Sequence, residues 1–329
     1  RYRLLSTSSL IVHRPTRCRA LSSSMDDNIF MGSNNSVRFY NRYTSQIETE
    51  AIYGESYLKF IYGNPLGKLA LWAAVKRAIF SKWYGFRMSS NNSAKKIDPF
   101  ISEYDLDVGL FLDRPESFRS FNDFFSRKLK TESRPITAEQ NELVFPADGR
   151  HIVVKDLSSK QSIWAKGQSF DLHSLLGSKK RAERFKYGSA LISRLCPTDY
   201  HRFHFPCQGV ASTAELINGH LYSVNPLALK KNISYLWQNK RSITELKSDT
   251  FGNICLLEIG ATCVGSIEQT YQQGNISKGQ EKGYFSFGGS MTIIFTEPKK
   301  VTFSSDLLEH SENGTEVYAV MGDICAQAK

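Results

Sequence analysis

A chain of 329 residues with 41% hydrophobic and 22% charged residues can bury a large core, as one domain or two. Its net charge of +10 fits an anionic partner (nucleic acid, anionic lipid or an acidic substrate) unless the charge serves solubility alone. Six cysteines without CxxC spacing exclude a disulfide scaffold and a zinc site, and read as reduced intracellular thiols.

Residues 1–24 carry Arg1, Arg3, Arg14, Arg17 and Arg19 among many serines, with no acid before Asp26. That composition resembles an organellar transit peptide. A disordered tail, or upstream sequence joined to a start at Met25, is the alternative, and residues 1–36 are expected to stand outside the fold. The organised chain begins at residue 37, with a short helix expected around Gln46–Ile52. Within residues 56–88, Leu66, Leu69, Ala70, Ala73, Ala74 and Val75 point to helix, broken upstream by Asn64-Pro65 and Gly67. The apolar run from Leu69 to Val75 is too short to span a bilayer. Lys59, Lys68, Lys76, Arg77, Lys82 and Arg87 lie among Trp72, Trp83, Tyr84 and Phe86, the mixture of an interfacial helix on anionic lipid. A helix pair packed on the protein's own core would read the same way.

After the polar linker 89–98, Phe118, Phe121, Phe124 and Phe125 recur at helical spacing and are expected in the core. The cluster Arg127, Lys128 and Lys130 is expected to face solvent or lipid headgroups. From Leu143 onward, short apolar segments (HIVV, SALI, FHFP, CLLEIGA) alternate with Gly, Pro and Asn turns. The fold class expected is therefore α+β: a helical region over 37–140 on a mostly antiparallel β core over 141–329.

Four features of the β-rich part can carry chemistry. PADGR (146–150) is a turn bearing the carboxylate of Asp148. DYHRFHFP (199–206) carries His201 and His204, which a straight strand would point to opposite faces. FGNICLLEIGATCVGSI (251–267) places Glu258 in a strand, where a lone acid is usually structural. GYFSFGGSMTIIFTE (283–297) reads as strand, Gly288-Gly289 turn, and a second strand opened by Ser290. A glycine puts no Cβ beside the peptide bond that follows it, so the Gly289 carbonyl is open to the Ser290 hydroxyl. An acid, histidines and a hydroxyl in this chain order can activate a serine. Residues 288–292 read GGSMT, so the GxSxG elbow of the common α/β-hydrolases is missing.

DYHRFHFP, KGYFSFGGSMTIIF, PADG, FNDFFSRKLKTESRPI and IGATCVGSI together resemble the phosphatidylserine decarboxylase family, from about residue 37 to the end of the chain. The resemblance implies self-processing: Ser290 attacks the Gly289 carbonyl, the peptide becomes an ester, and elimination leaves residue 290 as a precursor of a pyruvoyl group. The products would be a β chain, 1–289, and an α chain, 290–329. Asp148, His204 and Ser290 resemble the self-cleavage triad, and His201 resembles the histidine of the decarboxylation step. The pyruvoyl ketone would form a Schiff base with the substrate amine and accept electrons as CO₂ leaves, in place of an external cofactor. Tyr200 and Arg202, flanking the histidines, are candidates to touch the headgroup phosphate, or are structural.

A lipid substrate turns the helical region into a membrane-contacting one. The partners implied are phosphatidylserine, an anionic membrane surface met peripherally, the chain's own two products and a second copy as a homodimer; nucleic acid and metal are not implied. The expected location is organellar, with the mitochondrial inner membrane first and endomembrane or plastid as alternatives. Two departures stand out: Met291 occupies a position where a small hydroxyl residue is expected, and FGGS replaces the LGST form of many mitochondrial and bacterial members. Two rivals remain: a serine hydrolase with an intact chain, and a basic lipid-binding module that neither cleaves itself nor releases CO₂.

Overall fold

Segments such as ICLL and MTIIF are apolar on consecutive residues, which suits strands covered on both faces. In the computed structural model, which describes residues 37–50, 83, 85–158, 171–261, 266–287 and 290–329, these segments form the centre of an 11-stranded sheet. Its middle runs Arg241–Ser248, Gly252–Ile259, Ser290–Thr296, Ser189–Leu195, Gly149–Val154, with every neighbouring pair antiparallel. Beyond Gly149–Val154 lie Glu316–Ala319, Arg38–Asn41 and Gln46–Thr49. Successive side chains alternate between faces. Ile152, Ile192, Leu257, Ile293 and Phe295 pack with Leu175 and Phe185 on one side. Val153, Leu191, Leu256 and Ile294 pack with Phe205, Phe251 and Phe303 on the other. The architecture is mixed α+β and mostly antiparallel, and the helices among the described residues are short.

Two three-stranded sheets flank the large one. Ile267–Gln269, Glu281–Phe285 and Arg202–His204 form the first; Val301–Phe303, Ile324–Ala328 and Glu142–Val144 form the second. The strands on either side of the Gly-Gly link therefore belong to different sheets. The expected hairpin is corrected: Glu281–Phe285 pairs with Ile267–Gln269 and Arg202–His204, whereas Ser290–Thr296 pairs with Gly252–Ile259 and Ser189–Leu195.

The phenylalanine-rich segment folds as expected. Helix Phe121–Phe125 starts at Ser120, whose hydroxyl accepts from the Asp123 N–H at 3.1 Å. Phe121, Phe124 and Phe125 are buried with Phe100, Phe111, Phe118 and Phe287. This cluster reaches the residue just before the Gly-Gly link.

Two local expectations give way. Gln46–Thr49 is a strand rather than the start of a helix, because Arg38–Asn41 offers an antiparallel ladder four residues upstream, with Asn41 opposite Gln46. Arg127 is buried, lying over the Phe111 and Phe124 rings at 4.8 and 4.9 Å; only Lys128 of its cluster is exposed. The interfacial helix expected over 56–88 lies outside the described residues except for its end, where Trp83 and Phe86 are exposed and Met88 is buried. The transit-like segment 1–36 also lies outside them.

Candidate active site

The chain approaches the Gly-Gly link through three anchors. The Phe285 N–H donates to the His201 carbonyl at 3.0 Å, the Ser286 and Ser266 hydroxyls meet at 2.6 Å, and the Phe287 N–H donates to Asn122 Oδ1 at 2.8 Å. On the far side Ser290 is locked into the large sheet opposite Leu195. Only Gly288 and Gly289, outside the described residues, join these fixed ends.

Ser290 is fully buried and its Oγ has no hydrogen-bond partner. Its neighbour Met291 faces the apolar cluster with Ile259 and Ile293, which gives a packing reason for methionine there. One strand beyond Leu195, the strand Gly149–Val154 begins directly after Asp148. Two inter-strand steps of about 4.8 Å thus separate the line of Ser290 from that of Gly149. Gly149 itself is required: a Cβ there would sit 2.5 Å from the Arg194 carbonyl oxygen. Ala147, Leu195, Phe203 and Phe285 form a small buried cluster, so the segments bearing Asp148, Ser290 and the histidines converge on it.

Asp148 is buried and fully engaged. Arg134 grips its carboxylate through Nε, at 2.9 Å to Oδ1, and through a terminal nitrogen on Oδ2, while the Met321 N–H donates to Oδ1 at 2.8 Å. No hydrogen bond joins Asp148 to His204; its negative charge acts on that imidazole through space, favouring protonation. His204 is tied to the same turn by its backbone N–H, which donates to the Pro146 carbonyl at 2.7 Å. Its Nδ1 is buried without a partner. Burial lowers its pKa to about 4, against the opposing pull of Glu281 and Asp148.

His201 lies just before the strand Arg202–His204, with its ring 3.8 Å from that of Phe125. Its Nδ1 is 2.9 Å from the Asp199 carbonyl. A carbonyl only accepts, so Nδ1 carries the proton and Nε2 presents a bare lone pair, which is buried and without a partner. Burial lowers the His201 pKa to about 3, so the imidazole is neutral at ordinary pH. Phe125 also meets Phe287, at 4.9 Å between ring centres, which brings His201 close to the Gly-Gly link.

Tyr200 is buried, 5.8 Å from the His204 ring, and lines a cavity behind the site. Arg202 is occupied otherwise: it pairs with Glu281 at 2.8 Å and donates to the Ser126 carbonyl at 2.9 Å. Glu258 is structural, held by Lys282 at 2.7 Å. Sequence reasoning passed over Arg134, Asn122 and the Arg150–Asp199 pair (2.6 Å) that holds the loop before His201. Arg134 and Asn122 lie inside FNDFFSRKLKTESRPI, where Asn122 stands out as an amide among phenylalanines, whereas Arg134 follows the polar run Thr131–Ser133 and carries no such signal.

A family model for phosphatidylserine decarboxylase matches residues 121–323. Over 288 residues the chain is 43% identical to the phosphatidylserine decarboxylase proenzyme of Clostridium kluyveri, covering 87% of this chain and 97% of that protein. It is 42% identical to the proenzyme of the same name from Fusobacterium nucleatum, covering 87% and 96%. The corresponding Clostridium botulinum protein is 41% identical, with 87% and 98% covered. The chain is thus an enzyme of the carboxy-lyase class. It belongs to the phosphatidylserine decarboxylase family.

The same comparisons correct the organellar placement, whether mitochondrial inner membrane, endomembrane or plastid. These relatives are bacterial, from Clostridium and Fusobacterium, and give no organellar indication. An Arg- and Ser-rich, acid-poor stretch is a compositional feature that many basic tails share. Among the described residues no helix is long and apolar enough to cross a membrane.

Proposed function

We propose that the chain converts phosphatidylserine to phosphatidylethanolamine and CO₂, after cutting itself between Gly289 and Ser290 into chains 1–289 and 290–329. The observation that carries this reading is a set of three buried, reactive atoms left without partners: Ser290 Oγ, His201 Nε2 and His204 Nδ1. Buried polar atoms are nearly always hydrogen-bonded; of the seven exceptions among the described residues, three fall on a serine and two histidines of one small site, which favours a chemical role there.

In maturation, Ser290 Oγ bonds to the Gly289 carbonyl carbon and the Gly289–Ser290 C–N bond breaks, with the hydroxyl proton passing to the departing nitrogen. A neutral histidine is suited to carry that proton. His204 is the candidate, with Asp148 favouring its transient positive charge and Arg134 fixing Asp148. Elimination then passes the Cα proton of residue 290 to a base and breaks the Cβ–Oγ bond, leaving a Gly289 carboxylate and a dehydroalanine, which one water hydrolyses to the pyruvoyl carbonyl and ammonia.

The residues fit a pyruvoyl group at position 290: the site is enclosed, free of competing partners at Oγ, and bordered by a histidine with a bare nitrogen. Such a group supplies the carbonyl that accepts electrons during CO₂ loss. His201 would hold and return a proton at Nε2, its Nδ1 pinned by the Asp199 carbonyl, while the Phe125 ring excludes water. Tyr200 would border the headgroup, and the basic, aromatic stretch 56–88 would meet the anionic lipid surface peripherally.

Intact mass of the purified protein tests maturation, with Ser290→Ala as control. Two fragments parting at Gly289–Ser290, the smaller blocked at its N-terminus, are expected from wild type, together with CO₂ release from phosphatidylserine. An uncleaved, folded wild-type chain would overturn the reading.

A further inference from the structure

Arg127 is a buried cation held without a direct ion pair among the described residues. Its side chain belongs to a residue only 5% exposed, and among the described residues no carboxylate lies within ion-pair distance of it. Its terminal nitrogens reach only the carbonyls of Thr198 at 3.3 Å and of Phe124 and Asp199 at 3.5 Å, and its Nε has no partner. The other arginines nearby are neutralised: Arg134 by Asp148, Arg150 by Asp199 and Arg202 by Glu281. Arg241 shows how a buried guanidinium without a carboxylate is satisfied structurally, donating to four backbone carbonyls at 2.6 to 3.1 Å. Arg127 lacks such a set. Burial lowers its pKa to about 10, against the through-space pull of Asp148 and Asp199, which leaves it charged at neutral pH. The Phe111 and Phe124 rings and two carboxylates acting through space offset part of that burial, and a buried charge without a direct ion pair still favours an anion that joins it.

Space for that anion is present. A cavity of about 40 Å³ is lined by Arg127, Tyr200, the Arg134–Asp148 and Arg150–Asp199 pairs, and the carboxylates of Glu48 and Asp107, so Arg127 is its one arginine without a direct carboxylate partner among the described residues. That is room for a few waters or one small oxyanion. Ser290, His201 and His204 do not line it, but Arg127 is one carbonyl away from His201: that of Asp199 receives both Arg127 (3.5 Å) and His201 Nδ1 (2.9 Å).

We propose that Arg127 is the anion subsite for the phosphodiester of the substrate headgroup, an inference that rests on the decarboxylase reading above. A headgroup phosphorus is three bonds from the carbon that loses CO₂, so a phosphate site must lie close to the proton-carrying histidine. The carboxylate is the poorer occupant. It surrenders its charge as CO₂ forms, and a guanidinium gripping it would stabilise the ground state more than the transition state. The phosphodiester keeps its charge throughout, so Arg127 binds it equally at both stages.

This distinction sets the test. In processed enzyme, Arg127→Gln is expected to raise KM for phosphatidylserine in mixed micelles by about 10- to 100-fold, the worth of a charge-assisted hydrogen bond, with kcat changed less than about threefold. Arg127→Lys keeps the charge and should fall between. A lowered kcat at unchanged KM overturns the proposal. In parallel, calorimetry on the uncleaved Ser290→Ala chain uses glycerophosphoserine, serine and inorganic phosphate. Glycerophosphoserine binding that Arg127→Gln abolishes and Arg127→Lys weakens supports the subsite. Serine binding with the same dependence, or inorganic phosphate binding as tightly, overturns it. If Arg127→Gln does not fold, Arg127→Lys decides, and equal affinity to the parent refutes the proposal. Wild type that releases no CO₂ refutes the decarboxylase reading, while the calorimetric arm still judges the subsite.

Discussion

Three buried histidines should make the fold acid-sensitive well above the carboxylate range. Burial lowers His151 and His201 to about 3 and His204 to about 4, against about 6.5 in an unfolded chain. A depressed folded pKa means that the unfolded chain binds the proton first, so stability is lost as pH falls through 6.5 toward the folded values. Between pH 7 and 5 each histidine then removes about 2 kcal/mol, and the three together about 6 kcal/mol. Glu50, lowered to about 2 chiefly by Arg194 against its own desolvation, adds its loss only at more acid pH. Asp199, raised by burial, opposes the slope, so a comparison between variants is cleaner than the slope itself. His151 is the residue to change: it lies away from Ser290, with Nε2 donating to the Ala319 carbonyl at 3.1 Å and Nδ1 accepting from the Ser193 hydroxyl at 2.8 Å. Urea unfolding of the uncleaved Ser290→Ala chain, with and without His151→Gln, should show the double variant losing about 2 kcal/mol less between pH 7 and 5. Identical losses in the two proteins would refute the reasoning.

Two further substitutions probe the scaffold around the site. Gly149→Ala drives a Cβ to 2.5 Å from a backbone oxygen that no side-chain rotation can move, so the sheet must shift at a cost of about 1–3 kcal/mol. An unchanged melting temperature would contradict that contact. Asp199→Asn leaves Arg150 without its 2.6 Å partner in a buried setting and should cost about 3–5 kcal/mol in urea unfolding. Asp199→Leu combined with Arg150→Met should be less destabilised than either single change; strictly additive losses would argue against a coupled pair.

Much of the catalytic half was legible because its strands announce themselves. Residues 290–296 and 252–259 are apolar on both faces, and such runs have few places to go except the middle of a sheet. The partners of a strand are a different matter. Nothing local in GYFSFGGSMTIIF says that its two halves join different sheets, since that depends on Ser189–Leu195 and Arg202–His204, about 90 residues upstream. The same limit misled the reading of Gln46–Thr49, whose polar, helix-tolerant residues become a strand because Arg38–Asn41 is held by Glu316–Ala319 at the other end of the chain. Arg127 was misread for a related reason. In a run with Lys128 and Lys130 it carries the pattern of a surface, and only the aromatic rings that close over it reveal a buried cation.

The unpartnered atoms make sense only together with what surrounds them. Each buried polar atom without a partner costs about 1–3 kcal/mol, and a chain under no chemical demand would be expected to repair such defects with a hydroxyl, an amide or a water. Here the repair would disarm the site. In the proposed chemistry, a hydrogen bond to Ser290 Oγ from a fixed donor would hold back its lone pair, and water admitted at His201 Nε2 would compete for the proton assigned to it there. The sheet tolerates the defects because Ile293, Ile294 and Phe295 bury both faces of the same strand only a few residues away. Each such side chain contributes about 1.5–3 kcal/mol on burial. The strand that opens with Ser290 is thus packed on both faces. The link before it is two glycines long, joining ends that two different sheets hold in place.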